Sequence, residues 1–319
     1  MALGNVLSNT ILGGVKEETT RGTVNALTPA TGYNIELFDV APVAIDNAPI
    51  RIGNYASGNF KKAEYISGMP KGSTSFSTYM RYGGAVSTVP EWYALMEMCG
   101  METYQATADE NIRYEGSPIC KGFTYNGIEK GCGVTAPEGI LQTLRGAAAT
   151  FTIGAESTKA PVKIDFEVQG IYDGETDIAD ASTYLPSSLD TGAIQKFAAV
   201  PVTIAGVVYK VLSWSLAMQG VISALPDSGD TSGMCYFAMT DADPQLTMSL
   251  VRVDVAAKDW YADMVSDASY SAGVIIPLQD FDIEMKSAQL YQMSLEDADG
   301  FSGRSITLAV ESIYIKQNN

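Results

Sequence analysis

Histidine is absent from this chain of 319 residues. That removes Ser-His-Asp and Cys-His nucleophile systems, imidazole metal ligands and the usual general base near neutral pH. Chemistry run by carboxylates alone, as in glycoside hydrolysis, survives this filter. Cysteine is scarce: Cys99, Cys120, Cys132 and Cys235 form no C-x-x-C pair, and the nearest two, Cys120 and Cys132, lie twelve positions apart. A clustered zinc site is therefore not expected, and reduced, mostly buried thiols are. No apolar run approaches the ~20 residues that cross a bilayer, so no membrane partner is expected. The opening "MALGNVLSNTILGGVKEETTRG" has no basic stretch leading into an apolar block, and no signal peptide is read there.

Positive charge is also in short supply, with 20 Lys and Arg against 37 Asp and Glu, for a net −17 at pH 7. Such a chain does not neutralise phosphates, so ordinary nucleic-acid binding is disfavoured. A negative lining would still repel DNA that has to slide past it. Apolar residues make up 46% of the chain, enough for one large or two medium domains with buried cores.

What is present is alternation. Asn34–Val40, Gly72–Tyr82, Ala148–Ile153, Val162–Val168, Tyr209–Met218, Gln245–Val253 and Ser305–Val310 place apolar side chains at every second position. That period, with Val, Ile, Thr, Tyr and Phe, predicts half-buried strands, and 30 glycines with Asp, Ser and Pro supply turns. Two stretches break the pattern. Residues 89–99 predict a helix: Pro90 suits its first position, Glu91 its positive end, Gly100 a left-handed cap, and Trp92, Leu95, Met96 and Cys99 one face. Residues 256–267, with Asp259 early and Trp260, Met264 and Val265 apolar, predict a weaker one. Trp92, Tyr93, Met96, Trp260, Tyr261 and Met264 are expected to anchor these helices to the core.

The two helices echo each other. At an offset of 168, "EWYALM" (Glu91–Met96) faces "DWYADM" (Asp259–Met264), and "SFSTYMRY" (Ser75–Tyr82) precedes the first as "LTMSLVRV" (Leu246–Val253) precedes the second. At an offset of 142, Ile164, Phe166, Val168, Ile171 and Tyr172 align with Ile306, Leu308, Val310, Ile313 and Tyr314. The same offset lays Phe151 over Met293 and Ile153 over Leu295, which predicts two hairpins with equally long loops. The offsets differ by 26, so the first copy carries that much extra chain within Met101–Gly146. A tandem duplication follows. The expected layout is an N-terminal arm (1–30), a first domain (31–176), a linker (177–196) and a second domain (197–319).

Candidate chemistry is thin. "SLEDADGFSG" (Ser294–Gly303) fails the calcium-loop pattern, since placing Gly300 sixth puts Leu295 first and Ile306 twelfth. "PDSGDTSG" (Pro226–Gly233) reads as a turn, and no phosphate-cradling glycine motif occurs. Asp280, Asp282 and Glu284 share one face of an alternating strand opposite Phe281, Ile283 and Met285, as a solvated or lumen-facing stripe would. Glu296, Asp297 and Asp299 form a further acidic group on a turn. No catalytic, cofactor-binding or metal-ligating residue is assigned, and the chain is not expected to be an enzyme.

Three segments together resemble the major tail tube protein of long-tailed (siphovirus-type) bacteriophages. They are "GVKEETTRGTVNALTPATGYNIELFDV", "SGMPKGSTSFSTYMRYGGAVSTVPEWYALMEMCGM" and "GILQTLRGAAATFTIGAESTKAPVKIDFEVQGIYDG". The first holds a Glu-Thr-x-x-Gly-Thr opening, the second a strand and then a Pro-led helix, the third a hairpin closing on Phe-x-Val-x-Gly-Ile-Tyr. The resemblance implies a mainly β chain of two tandem tube-like sandwich or barrel domains, each flanked by one helix. It further implies rings, trimers with pseudo-sixfold symmetry ahead of hexamers, stacked into a conduit in the virion tail. The protein would be made in the host bacterial cytoplasm, without a cofactor. It would meet the tape-measure, terminator and distal tail proteins and pass DNA without binding it specifically. Another virion ring protein (tail tip, terminator or head decoration) and a carbohydrate-binding β-sandwich are the competing readings, and a carboxylate glycosidase the third.

Overall fold

The computed structural model describes residues 6–29, 31–47, 50–52, 64–66, 68, 70–106, 109–131, 139–179, 181–184, 192–197, 201–230, 232–251, 257–298 and 301–318. The protein is mainly β, 59% strand and 6% helix, in several antiparallel sheets. Among the described residues one sheet holds 11 strands and a second holds 7.

The large sheet runs, from one end, Ser269–Tyr270, Ala288–Ala298, Phe301–Ala309, Gln245–Val251, Val211–Ala217, Gly139–Ala155, Lys163–Ile178, Lys71–Tyr79 and Ala44–Asp46. The first half of the long strand Gly139–Ala155 also pairs with Phe123–Gly131, which in turn pairs with Val6–Glu17. The stretch expected as an arm thus contributes a strand. The second sheet runs Val207–Tyr209, Val202–Ile204, Val274–Pro277, Phe281–Lys286, Ser312–Gln317, Asp109–Tyr114 and Glu102–Ala106. Strands from 31–176 and from 197–319 lie side by side in both sheets.

The same three-strand order occurs twice in the large sheet. Lys163–Ile178 lies between Gly139–Ala155 and Lys71–Tyr79, with Phe166 opposite Phe151 and Phe76. Phe301–Ala309 lies between Ala288–Ala298 and Gln245–Val251, with Ile306 opposite Met293 and Met248. Two details of the expected alignment are corrected. Leu308, the counterpart of Phe166, faces Leu246, so Phe76 matches Leu246 and the upstream strands shift by one position. Ile164 faces Ile153, but Ile306 faces Met293 instead of Leu295, so the two hairpins differ in register and the strands of the second run on to the pair Ala298–Phe301. Within Met101–Gly146, where extra chain is expected, lie the hairpin Glu102–Tyr114 and the strand Phe123–Gly131. In the second copy the short hairpin Val274–Lys286 leads directly into Ala288–Ala298.

The inner faces of the two sheets share one core. Phe76, Phe151, Phe166, Trp214, Leu246 and Leu308 of the large sheet pack with Ile112, Ile276, Phe281, Ile283, Ile313 and Ile315 of the second. Alternation is the cause: in Lys71–Tyr79 and Lys163–Val168 exposed and buried residues follow one another, so each strand gives one face to the core. The segment Asn34–Val40 departs from expectation. It runs beside Lys71–Tyr79 through a single bridge, Phe38 to Ser77, because Asp39 takes a left-handed backbone (φ 52°) that interrupts the ladder.

Two short helices, α1 (Tyr93–Met98) and α2 (Trp260–Val265), pack against this core. Gly100 adopts φ 79° just past α1, the left-handed position the sequence asked of it. Asp259 caps α2, accepting from the backbone N–H groups of Tyr261 and Ala262. A hairpin, Gly220–Pro226 with Met234–Ala242, stands outside the two sheets and covers Ala148 and Ile171 with Met234 and Phe237.

Candidate functional site

The outer face of the large sheet is paved with short hydroxyl side chains in rows that cross the strands. Ser213 lies opposite Ser249, Ser249 opposite Ser305 and Ser305 opposite Ser294. One step along, Ser215, Thr247, Thr307 and Gln292 make a second row, with the Thr247 and Thr307 hydroxyls 3.3 Å apart. On the other copy Thr150, Glu167 and Ser75 form a third row and Thr152, Asp165 and Ser77 a fourth. Residues directly opposite in neighbouring strands share a face, so these rows form one surface. A shallow depression of about 450 Å³ lies where the copies meet, lined by Thr152, Lys163, Asp165, Ser213, Ser215 and Thr247 among others.

Charge on this face is negative or answered. Lys163 sits 2.9 Å from Asp165 and 3.5 Å from Asp39, and Asp165 also accepts from the Ser77 hydroxyl at 2.6 Å. The hydrogen bond to Asp165 raises the Lys163 ammonium above its ordinary range, so it stays charged and held. Glu167 adds a further carboxylate. The outer face of the second sheet is built differently, from long side chains in pairs. There Arg113 meets Glu102 at 3.1 Å, Lys316 meets Glu284 at 2.5 Å, and Lys286 lies 4.1 Å over the Tyr314 ring. Phe281, Ile283 and Met285 point into the core, so Asp282 and Glu284 belong to this ion-paired surface.

The expected helix anchors fall into two sets. Trp92, Tyr93, Met96 and Trp260 are buried. The Trp92 indole N–H donates to the Arg81 carbonyl at 2.8 Å, and its ring meets Phe281 of the second sheet edge-on at 5.7 Å. Trp260 packs on Tyr209 at 5.2 Å. Met264 is partly buried against the core. Tyr261 is not an anchor: it is 61% exposed, whereas its counterpart Tyr93 is buried with its hydroxyl donating to the Glu110 carbonyl at 3.3 Å.

A buried polar cluster escaped sequence reading. Glu18 is 5% exposed and accepts from the backbone N–H of Gly22 (2.6 Å) and Gly146 (2.7 Å) and from the Thr124 hydroxyl (3.1 Å). Burial pushes its carboxyl above the usual range, against the pull of those donors. Next to it Arg145 donates to the Gly22 carbonyl (2.8 Å), Asp230 (2.8 Å) and Asp173 (3.2 Å). The Arg145 guanidinium and the Ser232 hydroxyl hold the Asp230 carboxyl well below its ordinary value. This cluster ties the N-terminal segment and the outer hairpin to the strand Gly139–Ala155. Its members are far apart in sequence and carry no motif. The turn Pro226–Gly233 thus has a structural partner in Arg145.

Cys99 is buried, and burial pushes its thiol up, while Cys120 and Cys235 are only partly buried. Cys132, Asp299, Gly300 and linker residues 185–191 lie outside the described residues. Among the described residues no group of three or more Cys, Asp or Glu side chains is placed to hold a metal ion, and no helix is long and apolar enough to cross a membrane. Neither a scan against protein-family models nor a search of curated proteins finds a match to this sequence.

Proposed function

We propose that the chain is a structural virion protein that builds the tail tube of a long-tailed bacteriophage. In this reading the two like halves are tandem tube-like units, each with its helix. Three chains close a ring with six such positions, and rings stack into a conduit for the genome. The observation that carries the reading is the row of Ser213, Ser249, Ser305 and Ser294, continued by the Thr and carboxylate rows of the other copy. Such a face, turned inward, would line the bore.

The physical reason is adhesion. Each phosphate that a cation neutralises releases counterions and adds affinity, which would slow a passing duplex. Short hydroxyls present no long cationic arms, and Lys163 is already occupied by Asp165 and Asp39. The net charge of −17 points the same way. Tape-measure, terminator and distal tail proteins would be its partners in the virion. Negative-stain microscopy of the purified chain tests the reading. Stacked rings or tubes are expected. Isolated rings would favour a tail-tip, terminator or decoration role, and a monomer that binds glycans would favour a carbohydrate-binding sandwich.

A further inference from the structure

Among the described residues two edges of the large sheet lack a partner strand over most of their length, and the chain contains its own pattern for joining them. In the middle of the sheet, strand Val211–Ala217 pairs on one side with Gln245–Val251 and on the other with the last residues of Gly139–Ala155. Trp214 faces Ala155, Ser215 faces Gly154, Leu216 faces Ile153 and Ala217 faces Thr152. This junction joins the second copy to the first, and it buries Trp214, Leu216, Ile153 and Ala155.

Each side of that junction has a counterpart at an end of the sheet. Ser215 lies opposite Thr247 as Phe38 lies opposite Ser77, so Leu37–Val40 holds in the first copy the place that Trp214–Ala217 holds in the second. Among the described residues no strand pairs with its outer side. Gly154 lies opposite Lys163 as Ser294 lies opposite Ser305, so Gln292–Leu295 corresponds to Thr152–Ala155. Beyond the short pairing of Ser269–Tyr270 with Ala288–Gln289, no strand pairs with the outer side of Ala288–Ala298 among the described residues. Apolar groups are stranded there: Leu295 is 80% exposed, Tyr291 45%, and on the adjacent α2 Tyr261 and Val265 are 61% and 63%.

We infer that Leu37–Val40 of one molecule pairs with Gln292–Leu295 of a second copy of this chain, repeating between molecules the junction that exists within each. Phe38 then faces Ser294 as Ser215 faces Gly154. The contact is heterologous: each molecule uses one edge to give and the other to receive, so association runs head to tail and closes into a ring or grows into a filament. Unpaired backbone groups on both edges gain partners, and Leu295 gains the cover that Ala155 already has. This gives the assembly proposed above its contact surface, although the argument from the repeated junction stands without a tube.

Cysteine cross-linking tests it. Phe38→Cys mixed with Ser294→Cys under mild oxidation should give a covalent dimer on a non-reducing gel, and neither variant alone should. Carrying both substitutions, the chain should give a ladder. Leu295→Lys should bring the sedimenting mass of the wild-type assembly down to that of a monomer at an unchanged melting temperature. A wild-type chain that stays monomeric, cross-linking by either single variant alone, or association without the mixed cross-link would each overturn the edge assignment. Tubes that form without the cross-link would spare the tube reading; cross-linked chains that never stack would spare the edges and remove the tube.

Discussion

Ala155 and Leu295 occupy matching places in the two hairpins of the large sheet, yet Ala155 is 4% exposed and Leu295 is 80%. The difference is a neighbour. Trp214 lies across from Ala155, whereas among the described residues Leu295 faces Arg304 alone and no strand pairs with its other side. A chain that repeats itself along a sheet buries its inner seam and leaves its outer seam open.

The helix tryptophans are structural. Trp92→Ala or Trp260→Ala should each destabilise the fold by ~3–5 kcal/mol, the range for removing a large buried aromatic. Urea unfolding followed by circular dichroism measures this. A loss well under 1 kcal/mol for both would contradict their role as anchors.

Arg145 and Asp230 clamp the outer hairpin. Because the Asp230 carboxyl titrates below its unfolded value of about 3.8, its contribution is present above that pH and is lost as pH falls toward the folded value. Asp230→Asn should therefore cost about 1–2 kcal/mol at pH 7, discounted for its partial exposure. The gap from wild type should narrow below about pH 3.8. Melting temperatures of both proteins across pH 2.5–7 decide it, and a gap that widens on acidification would contradict the clamp.

Gly22 takes φ 76°, and a Cβ there would lie 2.0 Å from the Cys235 carbonyl oxygen. Gly22→Ala combines left-handed strain with a backbone clash and should cost about 2 kcal/mol or more. Limited proteolysis should then cut the segment around residue 22 faster than in wild type. Equal cleavage would show that the close approach is not maintained in solution.

The serine row should matter for passage and not for folding. Replacing Ser213, Ser249 and Ser305 by Lys should leave the melting temperature near wild type and make assembled protein retain duplex DNA in a salt-dependent way. Wild-type assemblies should not retain it. Retention by wild type, or none by the triple variant, would contradict a bore lined by this face.

Much of this could be read from residues alone. Period-two runs such as Val162–Val168 became strands with the expected buried faces, and the Trp-Tyr echo did locate two helices. Loop length was not legible. Hairpin residues keep their alternation whichever partner they face, so nothing in "TFTIGAESTKAPVKI" or its echo revealed that Met293, and not Leu295, faces Ile306. Nor was Tyr261 legible as exposed, since its counterpart Tyr93 is held by the Glu110 carbonyl, a contact between segments that the Trp-Tyr echo does not reveal. The Glu18–Arg145–Asp230 cluster joins residues scattered along the chain, and single charged residues in turns look alike in sequence. The hydroxyl face was half visible: Ser and Thr at alternate positions showed which side avoided the core, but only register showed that they meet across strands.

Cryo-electron microscopy of the assembled protein should show stacked rings of three chains with six repeated sheet positions, the Ser213–Ser249–Ser305–Ser294 row facing the bore and the ion-paired second sheet facing outward. Rings that put the serine row outside, or a protein that remains a monomer at every concentration, would contradict a tube lined by that row.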